Sequence, residues 1–355
     1  MAWHNTMKAS NLVIWLSVVL SVATIGARKD CKFPAIFNFG DSNSDTGALA
    51  AVFLSLPMPP PYGETFFGMP SGRFSDGRLI IDFMAKSLGM PFLSPYLDSV
   101  GANYSKGVNF AVGESTIRPF RSLGFGPGPF YLDIQFSQFL IFRNNSKIVR
   151  KQGGVFANLL PEEEVYSKAL YTIEIGQNDI SYRIATKMMP EKINSTVPRM
   201  IRNVTWHVES LYNVGARSFW IHNTGPIGCL ANVLTNIPIS PDQIDEAGCA
   251  KNFNSVAQYF NYKLKQAVSF FSNPQKYGFV EPLVVCCGLG GKYNYNSLKA
   301  CGIFATSCSN PSVKVIWDGG HYTDAANKIV FDKISTGAFS DPPIPPEFAC
   351  HKSSY

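Results

Sequence analysis

Four short β-prone runs, separated by helix-length stretches, constrain this chain more than any other feature. Ala35 to Phe39 (AIFNF), Lys106 to Ala111 (KGVNFA), Ala169 to Ile175 (ALYTIEI) and Ala216 to His222 (ARSFWIH) read as buried strands. Arg78 to Leu88, Tyr131 to Arg143, Met200 to Val214 and Cys249 to Val268 read as helices. This alternation calls for a parallel sheet with helices on both faces, because parallel neighbours need a long return connection, and the crossovers should be right-handed. Ligands of such sheets bind beyond the carboxyl ends of the strands. Chemistry is therefore expected just after Phe39, Ala111 and Ile175.

Composition removes several alternatives. With 46% hydrophobic and 13% aromatic residues among 355, the chain is too apolar for disorder, and 16% charge is too little for a coiled coil. The net charge of +6 is thinly spread with no run of five Lys or Arg, so no nucleic-acid partner is expected. Leu12 to Ala23 is a compact apolar run behind a mildly basic start (His4, Lys8), followed by small residues at Ala23, Gly26 and Ala27. That order predicts a secretory leader; the run is short for a membrane span and no second one exists. Ala23 and Ala27 both suit cleavage. Ending at Ala27, residues 1–27 are the leader and 28–355 form one domain.

Secretion would make two other features coherent. Eight cysteines follow the leader (Cys31, Cys229, Cys249, Cys286, Cys287, Cys301, Cys308 and Cys350), an even set that suggests disulfides of open connectivity. No CxxC or HxxxH pairing accompanies them, so no metal site is expected. Sequons at Asn103, Asn144, Asn194 and Asn203 are candidate glycan acceptors.

The strand ends carry polar motifs. The first runs into Gly40-Asp41-Ser42-Asn43-Ser44-Asp45-Thr46-Gly47, which places Ser42 on a strand-to-helix turn with helix amides nearby. The third runs into Gly176-Gln177-Asn178-Asp179, where the Asn178 amide can face the same space; taken alone, a plain turn is the better account of that run. Near the C-terminus, Asp318-Gly319-Gly320-His321 lets a carboxylate orient an imidazole whose other nitrogen faces a serine.

Taken together and in this order, the motifs resemble the SGNH, or GDSL, family of serine esterases and lipases. The plant secreted branch, with early-nodulin and fucosidase-like members, is the nearest resemblance. Ser71-Gly72-Arg73-Phe74-Ser75-Asp76-Gly77-Arg78, Asn223-Thr224-Gly225-Pro226-Ile227-Gly228-Cys229 and Cys286-Cys287-Gly288 extend it over nearly the whole mature chain. The resemblance implies a flavodoxin-like three-layer α/β/α sandwich. It implies Ser42 as nucleophile, His321 as general base and Asp318 as its orienting acid. It also implies an oxyanion hole from the Ser42 amide, an amide at the second strand end and the Asn178 side chain.

Two departures from that pattern stand out. In Asn109-Phe110-Ala111-Val112-Gly113-Glu114-Ser115-Thr116, Glu114 falls where the family has its oxyanion glycine, and Gly113 stands one place early. A backbone donor survives a side chain, but glycine suits positive φ, and a carboxylate beside an oxyanion repels it. A shifted loop with Gly113 as donor is the simpler expectation. Second, the family's fifth, edge strand is missing: Lys265-Gln266-Ala267-Val268-Ser269 runs straight into Phe270-Phe271-Ser272-Asn273-Pro274. An unpaired fourth strand would expose its edge, and Ala267 to Phe271 is β-prone enough to pair there. A splice form lacking the segment explains the gap equally well.

The leading expectation is a secreted ester hydrolase that needs no cofactor or metal and acts on a small-molecule, lipid or acylated-carbohydrate ester. An acyltransferase using the same site, and a catalytically impaired binding member, are the alternatives. A glycosidase would need two facing carboxyls; Glu162, Glu163 and Glu164 form the densest acid cluster, but a helix start accounts for them.

Overall fold

A computed structural model describes residues 32–52, 58–119, 130–264, 279–340 and 343–348. The leader region, Cys31, Cys350 and the whole stretch around Ser269, with its expected gap and Ala267 to Phe271, lie outside the described residues. Four strands form one parallel sheet: β1 (Ile36–Gly40), β2 (Gly107–Asn109), β3 (Leu170–Glu174) and β4 (Ser218–Ile221). Their order is β2-β1-β3-β4, the flavodoxin-like order without a fifth strand among the described residues. β2, β3 and β4 fall inside the runs that the sequence predicted, and β1 overruns its predicted end at Phe39 by one residue, Gly40.

Nine helices surround the sheet among the described residues: α1 (Ala48–Val52), α2 (Ile80–Ser87), α3 (Leu132–Gln152), α4 (Val165–Lys168), α5 (Gln177–Ala185), α6 (Pro190–Asn213), α7 (Ala231–Asn236), α8 (Lys251–Leu264) and α9 (Asp324–Ile334). The period-two alternation of β1 makes the layers. Phe37 and Phe39 join Tyr171 and Ile173 on one face, beneath Phe139 of α3, Val197 and Val204 of α6 and Phe260 of α8. Ile36 and Leu170 face the other way, onto Phe83 and Met84 of α2 and Phe331 of α9. None of the helices is long and apolar enough to cross a membrane.

Three helices differ from expectation. α3 continues past the Asn144-Asn145 pair to Gln152, because its last turns are held by the following segment: Arg150 donates to the Ala157 and Leu160 carbonyls and pairs with Glu162. α6 begins at Pro190 and passes through Pro198, where local propensity argues for a stop. Buried Ile193 and Val197 bind that first half to the core. The expected turn after β3 is the first turn of α5, anchored by buried Ile180 and Ile184. The cysteines resolve into Cys229–Cys249, Cys286–Cys308 and Cys287–Cys301.

Candidate active site

The end of β1 is clamped from three sides. Gly40 is held at both polar atoms by Gln135, which accepts from its N–H at 2.9 Å and donates to its carbonyl at 2.7 Å. A Cβ at Gly40 would lie 2.2 Å from the Glu174 carbonyl, so only glycine allows β1 and β3 to approach this closely. Asp45 caps α1, accepting from the Gly47, Ala48 and Leu49 amides at 2.8, 2.6 and 3.0 Å. Those helix amides are thereby consumed, which corrects the expectation that they face the site. Asn109 completes the clamp by donating to the Ser44 carbonyl at 2.6 Å and to Thr46 at 2.9 Å.

Ser42 sits within this turn and is buried. Its hydroxyl lies 2.7 Å from His321 Nε2. His321 Nδ1 lies 2.8 and 2.9 Å from the two Asp318 oxygens, which places its proton on Nδ1 and leaves Nε2 free to accept from Ser42. Asp318 Oδ1 also accepts from the Gly320 and His321 amides at 2.9 and 3.0 Å. Its Oδ2 accepts from the Tyr62 hydroxyl at 2.8 Å. The structure thus brings Ser42, Asp318 and His321 together from opposite ends of the chain.

The electrostatics follow from those contacts. Burial is the largest influence on Asp318 and would raise its carboxyl, but His321 and the converging donors outweigh it and hold the group below its ordinary value. Burial likewise disfavours the imidazolium of His321. Asp318, with Asp41 and Glu114 beyond it, outweighs that and raises the histidine above its usual value of 6.5.

The oxyanion candidates separate clearly. Gly113 N–H donates to Asp45 Oδ2 at 2.7 Å, and a Cβ there would strike the Phe74 ring at 2.7 Å. The simpler expectation, that Gly113 supplies the donor, is overturned because its proton is already spent. Glu114 adopts φ +63, the left-handed conformation a glycine would take, and its N–H meets no acceptor among the described residues. The Ser42 N–H is likewise uncommitted among the described residues. Asn178 spends one amide hydrogen on the Ser115 carbonyl at 3.0 Å and keeps the second. The half-buried Glu114 carboxyl is raised by burial, with His321 opposing.

Several site residues escape a reading of motifs. Tyr62 closes the Pro59-Pro60-Pro61 run, and its ring packs against Trp317 at 5.7 Å. Phe74 stacks on the His321 imidazole at 4.7 Å. Gln177 donates to the Gly320 carbonyl at 3.0 Å and ties the start of α5, just beyond β3, to the His321 loop. Phe74 and Gln177 lie inside runs singled out above without a role of their own, and the proline run before Tyr62 is a weak mark, since its stiffness suits a fixed side chain. The Glu162 to Glu164 cluster is spent elsewhere, on Arg150, Arg143 and Lys168.

Residues 36–334 match the GDSL-like Lipase/Acylhydrolase family. An "Esterase" of Hevea brasiliensis is 49% identical, covering 97% of this chain and 96% of its own. "GDSL esterase/lipase ENOD8" of Medicago truncatula is 48% identical over 96% of both chains, and "Alpha-L-fucosidase 3" of Arabidopsis thaliana is 45% identical over 91% of this chain and 95% of its own. The Hevea alignment runs to 382 positions against 355 residues here, so that relative carries residues this chain lacks. With the sheet order and the family match in agreement, the chain belongs to the GDSL lipase/acylhydrolase family and is a carboxylic ester hydrolase.

Proposed function

We propose that this protein is a secreted serine esterase that works through a Ser42–His321–Asp318 triad and a covalent acyl-enzyme. The 2.7 Å contact between Ser42 Oγ and His321 Nε2, with Asp318 behind the imidazole, carries the reading. In the first half-reaction Ser42 Oγ attacks the ester carbonyl carbon while His321 Nε2 takes its proton. The carbonyl oxygen becomes an oxyanion, met by the Ser42 and Glu114 N–H groups and the second amide hydrogen of Asn178. Collapse breaks the ester C–O bond, His321 returns the proton to the departing alkoxide, and the alcohol leaves. Water then repeats the sequence on the acyl-enzyme, releasing the carboxylic acid and restoring Ser42. Asp318 keeps its charge throughout and stabilises the imidazolium.

The Leu12 to Ala23 run, ahead of the small residues, supports secretion. Asn103 and Asn144 are exposed and Asn194 and Asn203 half-buried, so all four remain candidate glycan acceptors on a single domain spanning 28–355. The substrate proposed is a small-molecule, lipid or acylated-carbohydrate ester; the fucosidase name of one relative supports the carbohydrate member of that set.

The test is intact-mass detection of a fluorophosphonate adduct. Wild type should gain one adduct and hydrolyse p-nitrophenyl acetate, and Ser42→Ala should do neither. A folded wild-type protein that takes up no label would point to a non-catalytic binding protein.

A further inference from the structure

Behind the nucleophile turn two carboxyls face each other. Asp41 follows β1 and is fully buried; Glu174 ends β3, and its Oε2 is sealed from solvent. The backbones are locked in register, Gly40 opposite Glu174, and the Asp41 N–H donates to the Glu174 carbonyl at 3.2 Å. Asp41 Oδ1 accepts from the Asn43 amide at 3.1 Å. Asp41 Oδ2 and Glu174 Oε2 are both sealed from solvent and find no donor among the described residues. Ionised carboxylates only accept, so two such oxygens on neighbouring backbones are satisfied together when one proton lies between the pair.

The pair is also wired to the base. Asn43 Nδ2 reaches Glu174 Oε1 at 3.5 Å and Gln177 Oε1 at 3.2 Å, and Gln177 holds the Gly320 carbonyl beside His321. We infer that Asp41 and Glu174 share a single proton and act as one positioning unit for ester hydrolysis, locking the Ser42 turn to β3 and, through Asn43 and Gln177, to the His321 loop. The inference rests on the triad reading above.

Its consequence is a second titration in the site. Burial is the largest influence on both groups: it holds Glu174 at about 7, and with Glu174 alongside it keeps Asp41 well above its ordinary value. With one proton the pair carries one negative charge, which supports the His321 imidazolium. Losing that proton sets two buried charges in contact and adds negative potential where the oxyanion forms. The other titratable groups facing this centre are Asp318, His321 and Tyr322 of the C-terminal segment, Asp179, Tyr182 and Arg183 of α5, and Glu114 after β2.

The experiment is the pH profile of kcat/KM with p-nitrophenyl acetate, each protein normalised to its own maximum. Wild type should show a falling alkaline limb, leaving about one-tenth of the activity one pH unit above its midpoint. Glu174→Gln, which keeps a hydrogen bond to Asp41 without an ionisable proton, should hold a plateau over the same range. A wild-type plateau, or the same falling limb in Glu174→Gln, would overturn the inference. Infrared spectroscopy of wild type gives a readout that needs no active variant. In the difference spectrum between wild type and Asp41→Asn, which cancels the other buried carboxyls such as Asp179, a protonated-carboxyl stretch should be present below the limb and vanish as it falls; a difference spectrum without that band also overturns the pair. Fluorophosphonate labelling at neutral pH separates the two readings: labelled protein without the limb keeps the triad and removes the pair, and an unlabelled protein with the infrared band does the reverse.

Discussion

Tyr62 donates its phenolic hydrogen to Asp318 Oδ2 at 2.8 Å, across 256 positions of sequence. The acid behind the imidazole is therefore fixed by a side chain from the opposite half of the chain. Hydrogen bonds to charged groups contribute about 1.5–3 kcal/mol, and Asp318 retains its bonds from Gly320 and His321. Tyr62→Phe keeps the ring against Trp317 and should lower kcat about tenfold with KM unchanged. Steady-state kinetics on p-nitrophenyl acetate read the split; a pure KM effect would place Tyr62 in substrate binding instead.

Asp318→Asn retains the shape of the site but favours the wrong imidazole tautomer. A loss of about 10⁴ in kcat is expected. A loss under tenfold would show that His321 is oriented by other contacts.

Glu114→Gly addresses the departure from the family pattern. A side chain at φ +63 costs about 1–2 kcal/mol, partly offset by the greater unfolded-state freedom of glycine. Thermal stability should rise slightly. Glu114 also helps to raise His321, so its removal should shift the acid limb of kcat/KM to lower pH and raise kcat a few-fold. An unmoved acid limb would mean the carboxylate does not act on the base.

Two disulfides brace the approach to Asp318. Cys287–Cys301 shares a buried cluster with Tyr62 and Trp317, and the Cys286 and Cys287 amides donate to the Ile316 and Trp317 carbonyls at 2.9 and 2.7 Å. The paired change Cys287→Ser with Cys301→Ser should cost about 2–4 kcal/mol and reduce kcat, because the loop bearing Asp318 loses its anchor. Differential scanning fluorimetry together with kinetics distinguishes this from a purely global effect, in which the activity of the remaining folded fraction would equal that of wild type.

Stability should also depend on pH. Glu174 and Asp179, raised by burial to about 7, hold protons in the folded state that the unfolded chain has already lost. The folded state then binds more protons at these two sites, so their contribution to stability is fully present below the ordinary carboxylate range and is lost as pH rises from about 4 through about 7. His321 acts in the same sense, and Asp318 in the opposite sense but below that window. Asp179→Asn, still able to accept from the Ile117 amide, should flatten the decline of Tm between about pH 5 and pH 8. An unchanged slope would assign the decline to other groups.

The strands were legible because period-two burial of aromatic and branched residues is written locally, as in Phe37 and Phe39. Ser42, Asp318 and His321, which the structure brings within hydrogen-bonding distance, could be nominated together because each sits in a short run whose residue types suit the proposed chemistry. The ends of α3 and the start of α6 were not, since partners distant in sequence outweighed the weak local signals at Asn144-Asn145 and Pro198.

The sequence by itself determined the four strands of the sheet through local pattern and, through its motifs, the resemblance to the GDSL family that carries the fold and ester hydrolysis with it. Tertiary structure alone decided which amides remain free. Asp45, a helix cap by sequence, reaches across to take the Gly113 N–H and leaves the neighbouring Glu114 N–H open. It also decided that Tyr62 meets Asp318 and that Asp41 meets Glu174. Such pairings depend on where separate segments pack, and no run of residues within either segment encodes the other's position.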